Sequence, residues 1–307
     1  MVTKENTIII DALREATDIL RNNGVNDPEL DAQVLMGYAL GIERMELYLK
    51  FRENVSEDKL KLYKTLIKRR AQRIPVSYLT GEKEFMGLSF SVSEDVLIPR
   101  PETELLVEAV IHKIIGRSVL ASTNSSGGIK RSEDEISLLD IGTGCGNIAV
   151  SLAKFIPSSR VFAVDISDKA LDIARKNARR HGVDGKITFL KGDLFNPLEK
   201  VVSYGSIDCI VSNPPYIKRD VIDTLQAEVR REPRLALDGD TDGLSFYRAI
   251  AKKSGDYLIS GGYLLMEMPA EDGYAIDDII KKSGSFRSVE IINDYSQIQR
   301  IMIAERA

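Results

Sequence analysis

Cysteine and histidine are scarce in this chain. Among 307 residues there are only Cys145, Cys209, His112 and His181. The two cysteines lie far apart and neither belongs to a C-x-x-C pair, so neither a disulfide framework nor a cysteine–histidine metal set is expected. A thiol pattern this thin predicts a reducing cytoplasm. Long apolar runs are also missing, and no stretch approaches the length of a membrane span. The first twenty residues, "MVTKENTIIIDALREATDIL", hold a short apolar run broken by Asp11. They lack a secretory h-region and a cleavage site. An excess of positive charge is absent too: the net charge is −4 and the isoelectric point about 5.5. A protein whose main partner is a duplex usually carries a basic footprint, so no stable nucleic-acid partner is expected. What remains is ordinary for a globular protein, with 43% hydrophobic and 29% charged residues.

The pattern changes along the chain. Up to about residue 75 it is helical: "IIIDALREATDILRNNG" closing at Gly24, "DPELDAQVLMGYALG" opening at Asp27–Pro28, and "SEDKLKLYKTLIKRRAQRIP" ending before Pro75. Lys59 to Arg73 holds seven basic residues and no acid. That predicts a solvated helix face, with docking of a partner as the lesser alternative. "KEFMGLSFSVSEDVLI" reads as strands with a turn near Ser93–Asp95. Helical spacing resumes from Arg100 to Ile115. Residues 116–135, rich in Ser and Gly, predict a mobile surface loop. Beyond them strands and helices alternate to the end, which predicts a doubly wound, mostly parallel α/β sheet. Ligands of such sheets bind at the carboxyl ends of the strands.

Three short stretches sit at those ends. "LLDIGTGCGNIAV" carries Gly142, Gly144 and Gly146, with Thr143 and Cys145 between them. Asn147 breaks a dinucleotide G-x-G-x-x-G, and the Gly-Lys-Ser/Thr of a phosphate loop is absent. Glycines there let backbone approach a ligand closely. Asp140 before the loop suits a ligand bearing a cation. Asp165 ends the next strand, where an acid accepts from ribose hydroxyls. Asp193 follows the third strand, placed to accept from an adenine amino group, with Leu194 or Phe195 packing on its ring. Together these fit S-adenosylmethionine. The plainer alternative is a structural turn with strand-end acids that cap the following helices.

"SNPPYIK" follows the buried run "IDCIV". Two adjacent prolines cannot continue a strand, since each removes a donor. A plain strand terminator is the bland alternative. The chemical reading is methyl transfer to a planar NH2 group. The Asn213 side-chain oxygen and the Pro214 carbonyl provide two acceptors for its two N–H groups. Pro215 stiffens the turn, and Tyr216 offers an aromatic wall. Arg100 and Glu102 are expected to order a loop or start a helix rather than to catalyse.

At this point the chain resembles the PrmC/HemK family of protein-(glutamine-N5) methyltransferases. The resemblance rests on "PVSYLTGEKEFMGLSFSV", "LIPRPETELLVE", "LLDIGTGCGNIAVSLA", "VFAVDIS", "GDLF", "IVSNPPYI", "EPRLALDGDTDGLSFYRAI" and "GGYLLMEM". It implies a class I S-adenosylmethionine-dependent methyltransferase with a seven-stranded sheet, a small helical N-terminal domain and a linking β-hairpin. The implied divisions are a substrate-docking domain at 1–76, a hairpin linker at 77–99 and a catalytic domain at 100–307. The implied cofactor contacts are Gly142 to Gly146, Asp165 and Leu194; Asp193, read from its strand end, and Asn213 are expected beside them. Asn213, Pro214, Pro215 and Tyr216 would hold the glutamine of the Gly-Gly-Gln loop in class I peptide chain release factors. Asn-Pro-Pro-Tyr alone leaves a DNA or RNA adenine-N6 or cytosine-N4 amino-methyltransferase open, acting on a flipped base. A cofactor-binding module without catalysis would predict a damaged glycine loop or turn, and both are intact. The chain departs from the family pattern at 269–275 and at 293–300.

Overall fold

The computed structural model describes residues 7–123 and 135–307. These divide into two compact units: residues up to 82 with 225–231, and residues 83–224 with 232–307.

The first unit is helical: α1 (Ile9–Asn22), α2 (Pro28–Leu40), α3 (Arg44–Lys50), α4 (Glu57–Ala71) and α5 (Val76–Thr80). Its core is Leu13, Leu20, Leu35, Met36, Leu47, Tyr63, Leu66 and neighbours. Two short helices, α3 and α5, were not expected. Seven and five residues carry too little intrinsic helicity to stand alone, and buried Leu47 and Leu79 hold them instead. The basic α4 is only partly a solvated face. Arg70 bridges Asp31 (2.7 Å) and Glu228 (2.8 Å), and Arg73 bonds both carboxylate oxygens of Glu228.

The second unit opens with the hairpin β1 (Glu82–Phe85) and β2 (Leu88–Ser91). Its turn is Met86–Gly87, both at positive φ, a mirror-type turn that matches strand twist. The Ser93–Asp95 turn also forms, closed by a Val96 N to Ser93 O bond, but it lies after the hairpin. Sequence reading missed the true hairpin turn because Met is unusual at positive φ. The Glu104 carboxylate supports it by accepting from Met86 N at 2.7 Å. Helix α6 (Glu102–Thr123) runs past the expected end at Ile115, as "RSVLAST" contains no proline to stop it. The rest of the Ser/Gly-rich segment, 124–134, lies outside the described residues.

Then follow β3 (Ile136–Ile141), α7 (Asn147–Phe155), β4 (Ser159–Asp165), α8 (Asp168–Arg180), β5 (Ile187–Lys191), β6 (Ile207–Ser212), α9 (Ser245–Tyr257), β7 (Leu258–Glu267), α10 (Gly273–Lys282), β8 (Phe286–Asn293) and β9 (Gln299–Arg306). The strand order is β5-β4-β3-β6-β7-β9-β8, with β3 to β7 parallel and β9 antiparallel to both neighbours. Both faces are covered, so the strands read as continuous apolar runs. Successive residues still part company: Leu138, Val161, Ala163, Cys209 and Val211 join the core under α6 and α7. Leu139, Phe162, Val164 and Ile210 join the one under α9 and α10. The chain runs outward from β3 through β4 and β5, then returns to β6 on the other side of β3. That reversal opens a crevice at the carboxyl ends, where ligands bind.

Candidate active site

Five parallel strands deliver their carboxyl ends to one edge. Ile141 and Ser212 are register partners, so Gly142 and Asn213 start the two loops side by side. The Ser212 hydroxyl fastens them by donating to the Ile141 carbonyl at 2.7 Å. Met266 pairs with Ser212 in turn, which puts Glu267 level with Asn213.

The glycines of the loop differ in role. Gly142 and Gly144 have φ of 75° and 54°, and a Cβ on either would meet nothing within 4 Å. They leave bare backbone facing open space, as close approach by a ligand requires. A Cβ on Gly146 would lie 3.0 Å from the Ala174 Cβ, so this glycine lets α7 approach α8. The Thr143 and Cys145 side chains are buried, so these two residues can meet a ligand only through backbone. Burial pushes the Cys145 thiol up to about 12, which makes it inert. Asp140 does not face a ligand as expected. It is fully enclosed under the loop, where Oδ2 accepts from the Thr143 hydroxyl at 2.6 Å and Oδ1 makes no well-formed hydrogen bond among the described residues, the Ala149 amide lending it only electrostatic support. Burial raises its pKa to about 7 against the pull of Thr143.

Asp165 is half-buried at the end of β4. Its Oδ2 accepts from Gly144 N at 2.8 Å and its Oδ1 from Ser167 N at 2.9 Å. Each oxygen keeps a lone pair for a further donor. Burial raises its pKa, and the backbone amides of Ser167 and Gly144 oppose that. Asp193 is exposed after β5, and Leu194 adopts φ 49°, a strained value of the kind that gathers at ligand clamps. Phe195 is unavailable to an adenine ring because it is buried and stacked on Tyr257 at 5.3 Å. Leu194 is the apolar candidate that remains.

The Asn-Pro-Pro-Tyr turn is held from behind. Asn213 Nδ2 donates to the Thr103 hydroxyl at 3.1 Å, and that hydroxyl donates to Glu267 Oε2 at 2.6 Å. Asn213 Oδ1 has no hydrogen bond among the described residues. Burial of Glu267 raises its pKa to about 7; Thr103 and Tyr216 hydrogen bonds and Arg300 lower it, while Glu102 adds to the rise. Tyr216 is mostly buried, which pushes its phenol above the usual range. After Tyr216 the chain forms a short bridge with 237–239, where Ile217 N donates to Leu237 O and Gly239 N to Ile217 O. Arg100 pairs with buried Glu232 at 2.5 Å, and Glu232 also accepts from Ile98 N at 3.0 Å. The "IPRPETE" and "EPRLAL" stretches are thus one structural joint.

Thr103, Glu267 and Glu232 were not singled out from the sequence for roles at the site. Glu267 did carry a signal, an acid ending an apolar strand, the same that marked Asp165. Thr103 carried none, being one of several polar residues at a helix start. Among the described residues no cluster of His, Cys, Asp and Glu could hold a metal ion, and no helix is long and apolar enough to cross a membrane.

An open glycine cradle with the half-buried Asp165 carboxylate beside it, in no ion pair among the described residues, suits a ligand gripped by backbone and by one acid at the end of the second strand. On this sheet order they define a class I S-adenosylmethionine-dependent methyltransferase. Residues 132–290 match a methyltransferase domain, and residues 11–81 match the PrmC N-terminal domain. The catalytic domain of hMettl16, solved with a MAT2A 3′UTR hairpin, shares this fold at a TM-score of 0.54 and 15% identity, over 76% of this chain and 80% of that one. Similarity over nearly the whole length is to release factor glutamine methyltransferases: 38% identity to that of Moorella thermoacetica, covering 96% of this chain and 97% of the relative, and 37% to that of Chlorobaculum tepidum, covering 95% of each. The chain belongs to the release factor glutamine methyltransferase family.

Proposed function

We propose that this enzyme transfers a methyl group to the side-chain amide nitrogen (N5) of the glutamine in the Gly-Gly-Gln motif of class I peptide chain release factors, in the cytoplasm. The observation that carries the reading is the pinned Asn213 amide, whose Nδ2 donates to Thr103 while Oδ1, beside the glycine loop, has no hydrogen bond among the described residues.

When bound, S-adenosylmethionine supplies an electrophilic methyl on a sulfonium. Gly142 and Gly144 would hold it through backbone, Asp165 at the ribose, and Asp193 and Leu194 at the adenine. The acceptor is a primary amide whose nitrogen lone pair is delocalised and weakly nucleophilic. Asn213 Oδ1 and the Pro214 carbonyl accept its two N–H hydrogens, which orients the nitrogen and favours a localised lone pair. The two prolines fix the carbonyl direction. With the methyl donor bound, attack by the nitrogen would form the carbon–nitrogen bond as the carbon–sulfur bond breaks, and the surplus N–H proton would pass to water. No strong base is needed, since the alkylated nitrogen is acidic.

Labelled S-adenosylmethionine should mark a class I release factor in the presence of the enzyme, and a Gly-Gly-Gln loop with Gln changed to Ala should stay unmarked. Label on DNA or RNA with none on the release factor would replace this substrate by a nucleobase. Asn213→Ala should lower kcat by about 100-fold or more, with a far smaller loss of cofactor affinity. Retained turnover would remove Asn213 from its role.

A further inference from the structure

The side chains behind the turn form a chain with a direction. Glu267, 2% exposed at the end of β7, offers only acceptors when ionised. The Thr103 hydroxyl has a single hydrogen, and at 2.6 Å from Oε2 that hydrogen goes to Glu267. What Thr103 presents to Asn213 is therefore a lone pair, which selects the amide's NH2 end at 3.1 Å. Oδ1 is left pointing the other way.

We propose that Thr103 and Glu267 are positioning residues that set which end of the Asn213 amide faces the substrate. The inference rests on the reading that Asn213 Oδ1 accepts from the substrate amide. An acceptor is needed there because the substrate's NH2 has only donors to offer on that side. If Glu267 takes up a proton, its own O–H can donate to Thr103. The Thr103 hydrogen is then freed to turn toward Asn213, and the amide flips to meet it. A flipped Asn213 presents Nδ2, so donor faces donor and the substrate nitrogen loses one of its two anchors. No other change in the site is required.

The groups around Glu267 decide where this happens. Thr103 and Glu102 face it from α6, Tyr216 from the turn, Arg300 from β9, and Asn213 sits one bond further on. Tyr247 from α9 donates to its backbone carbonyl at 2.7 Å, which leaves the carboxylate free of that bond. Burial outweighs Arg300 and the two hydroxyls and brings the switch to near neutrality, at about 7. Turnover is full above that pH and falls below it.

The test compares kcat at saturating substrates from about pH 5.5 to about 8.5 for the wild type, Thr103→Val, Thr103→Ser, Glu267→Gln and Asn213→Ala, with cofactor binding followed by calorimetry. The wild type should lose about tenfold in kcat per pH unit below the switch. Glu267→Gln should lack that acidic limb. Thr103→Val keeps the shape but removes the relay, so kcat should fall about 100-fold with cofactor affinity unchanged. Thr103→Ser should recover most of the loss. A wild-type kcat that is flat from pH 6 to 8, or a Thr103→Val enzyme with wild-type kcat, overturns the proposal while Asn213→Ala remains inactive. An active Asn213→Ala enzyme instead overturns the underlying reading of Asn213. Should Glu267→Gln not fold, the threonine pair and the wild-type profile decide alone.

Discussion

Asn177 in α8 has no solvent exposure and makes three hydrogen bonds. Its Nδ2 donates to Ser91 O at 3.0 Å and to Cys145 O at 2.8 Å, and its Oδ1 accepts from Ser91 N at 2.8 Å. One side chain thus ties the hairpin to the middle of the glycine loop. Replacement by Leu keeps the volume and leaves three buried backbone groups unpaired. Each such group costs about 1–3 kcal/mol. Asn177→Leu should therefore destabilise the protein by about 3–5 kcal/mol and weaken cofactor binding. Urea unfolding and calorimetry would measure the two effects. A variant within about 1 kcal/mol of the wild type would mean that the three backbone groups find other partners. Asn177 attracts no notice in the sequence, where it is a polar residue in a charged helix. Asn213 does, because its two prolines and its strand are local in the chain. The difference is one of distance: Ser91 lies in another element, and nothing in a linear pattern announces a hydrogen bond to it.

At the scale of elements, the Asn-Pro-Pro-Tyr turn depends on a neighbouring loop that meets Tyr216 with bare backbone. A Cβ on Gly243, at φ 78°, would sit 2.6 Å from the Tyr216 carbonyl oxygen, and one on Gly239 would sit 2.7 Å from the Tyr216 Cα. The 238–243 segment therefore needs glycine to lie flat against Tyr216. Gly243→Ala adds left-handed strain of about 1–2 kcal/mol and forces that contact apart. It should reduce kcat by about 100-fold through displacement of the turn, with cofactor affinity retained. Wild-type kcat would show that the turn is rigid without the loop. The elements themselves were largely legible. The strands after residue 135 and their intervening helices follow from apolar runs with turn residues between them. Helices α3 and α5 did not, because burial of Leu47 and Leu79 rather than propensity makes them. The hairpin turn did not either, since Glu104 stabilises Met86 from another element. The "EPRLALDGDTDG" stretch was visible as a likeness to a family, but its bracing of Tyr216 and anchoring of Arg100 depend on contacts between segments far apart in the chain.

Across the whole molecule, the site's demands set the pH at which the fold is most stable. At the carboxyl ends of its strands the second unit holds two buried carboxyl groups, Asp140 and Glu267, and the half-buried Asp165. All three have raised pKa values, with burial as the leading cause. For a group raised in the folded state, the contribution to stability is complete below its unfolded pKa and is lost as pH rises through the folded one. Asp140 moves from 3.8 to about 7, and Glu267 from 4.5 to about 7. Each therefore removes up to about 3–4 kcal/mol between about pH 4 and 8. In the first unit, burial would raise Glu228, but its bonds to Arg73 and Arg70 prevail and hold it at about 2. Its contribution is complete above 4.5 and lost as pH falls toward 2, outside the window of interest. The cofactor-free protein should thus be more stable at pH 5 than at pH 8, the reverse of its activity, which rises with ionisation of Glu267. Asp140→Asn and Glu267→Gln should each flatten the alkaline loss of stability. Thermal unfolding at both pH values checks this. Stability that rises from pH 5 to 8 would show that these acids ionise without penalty in the folded enzyme.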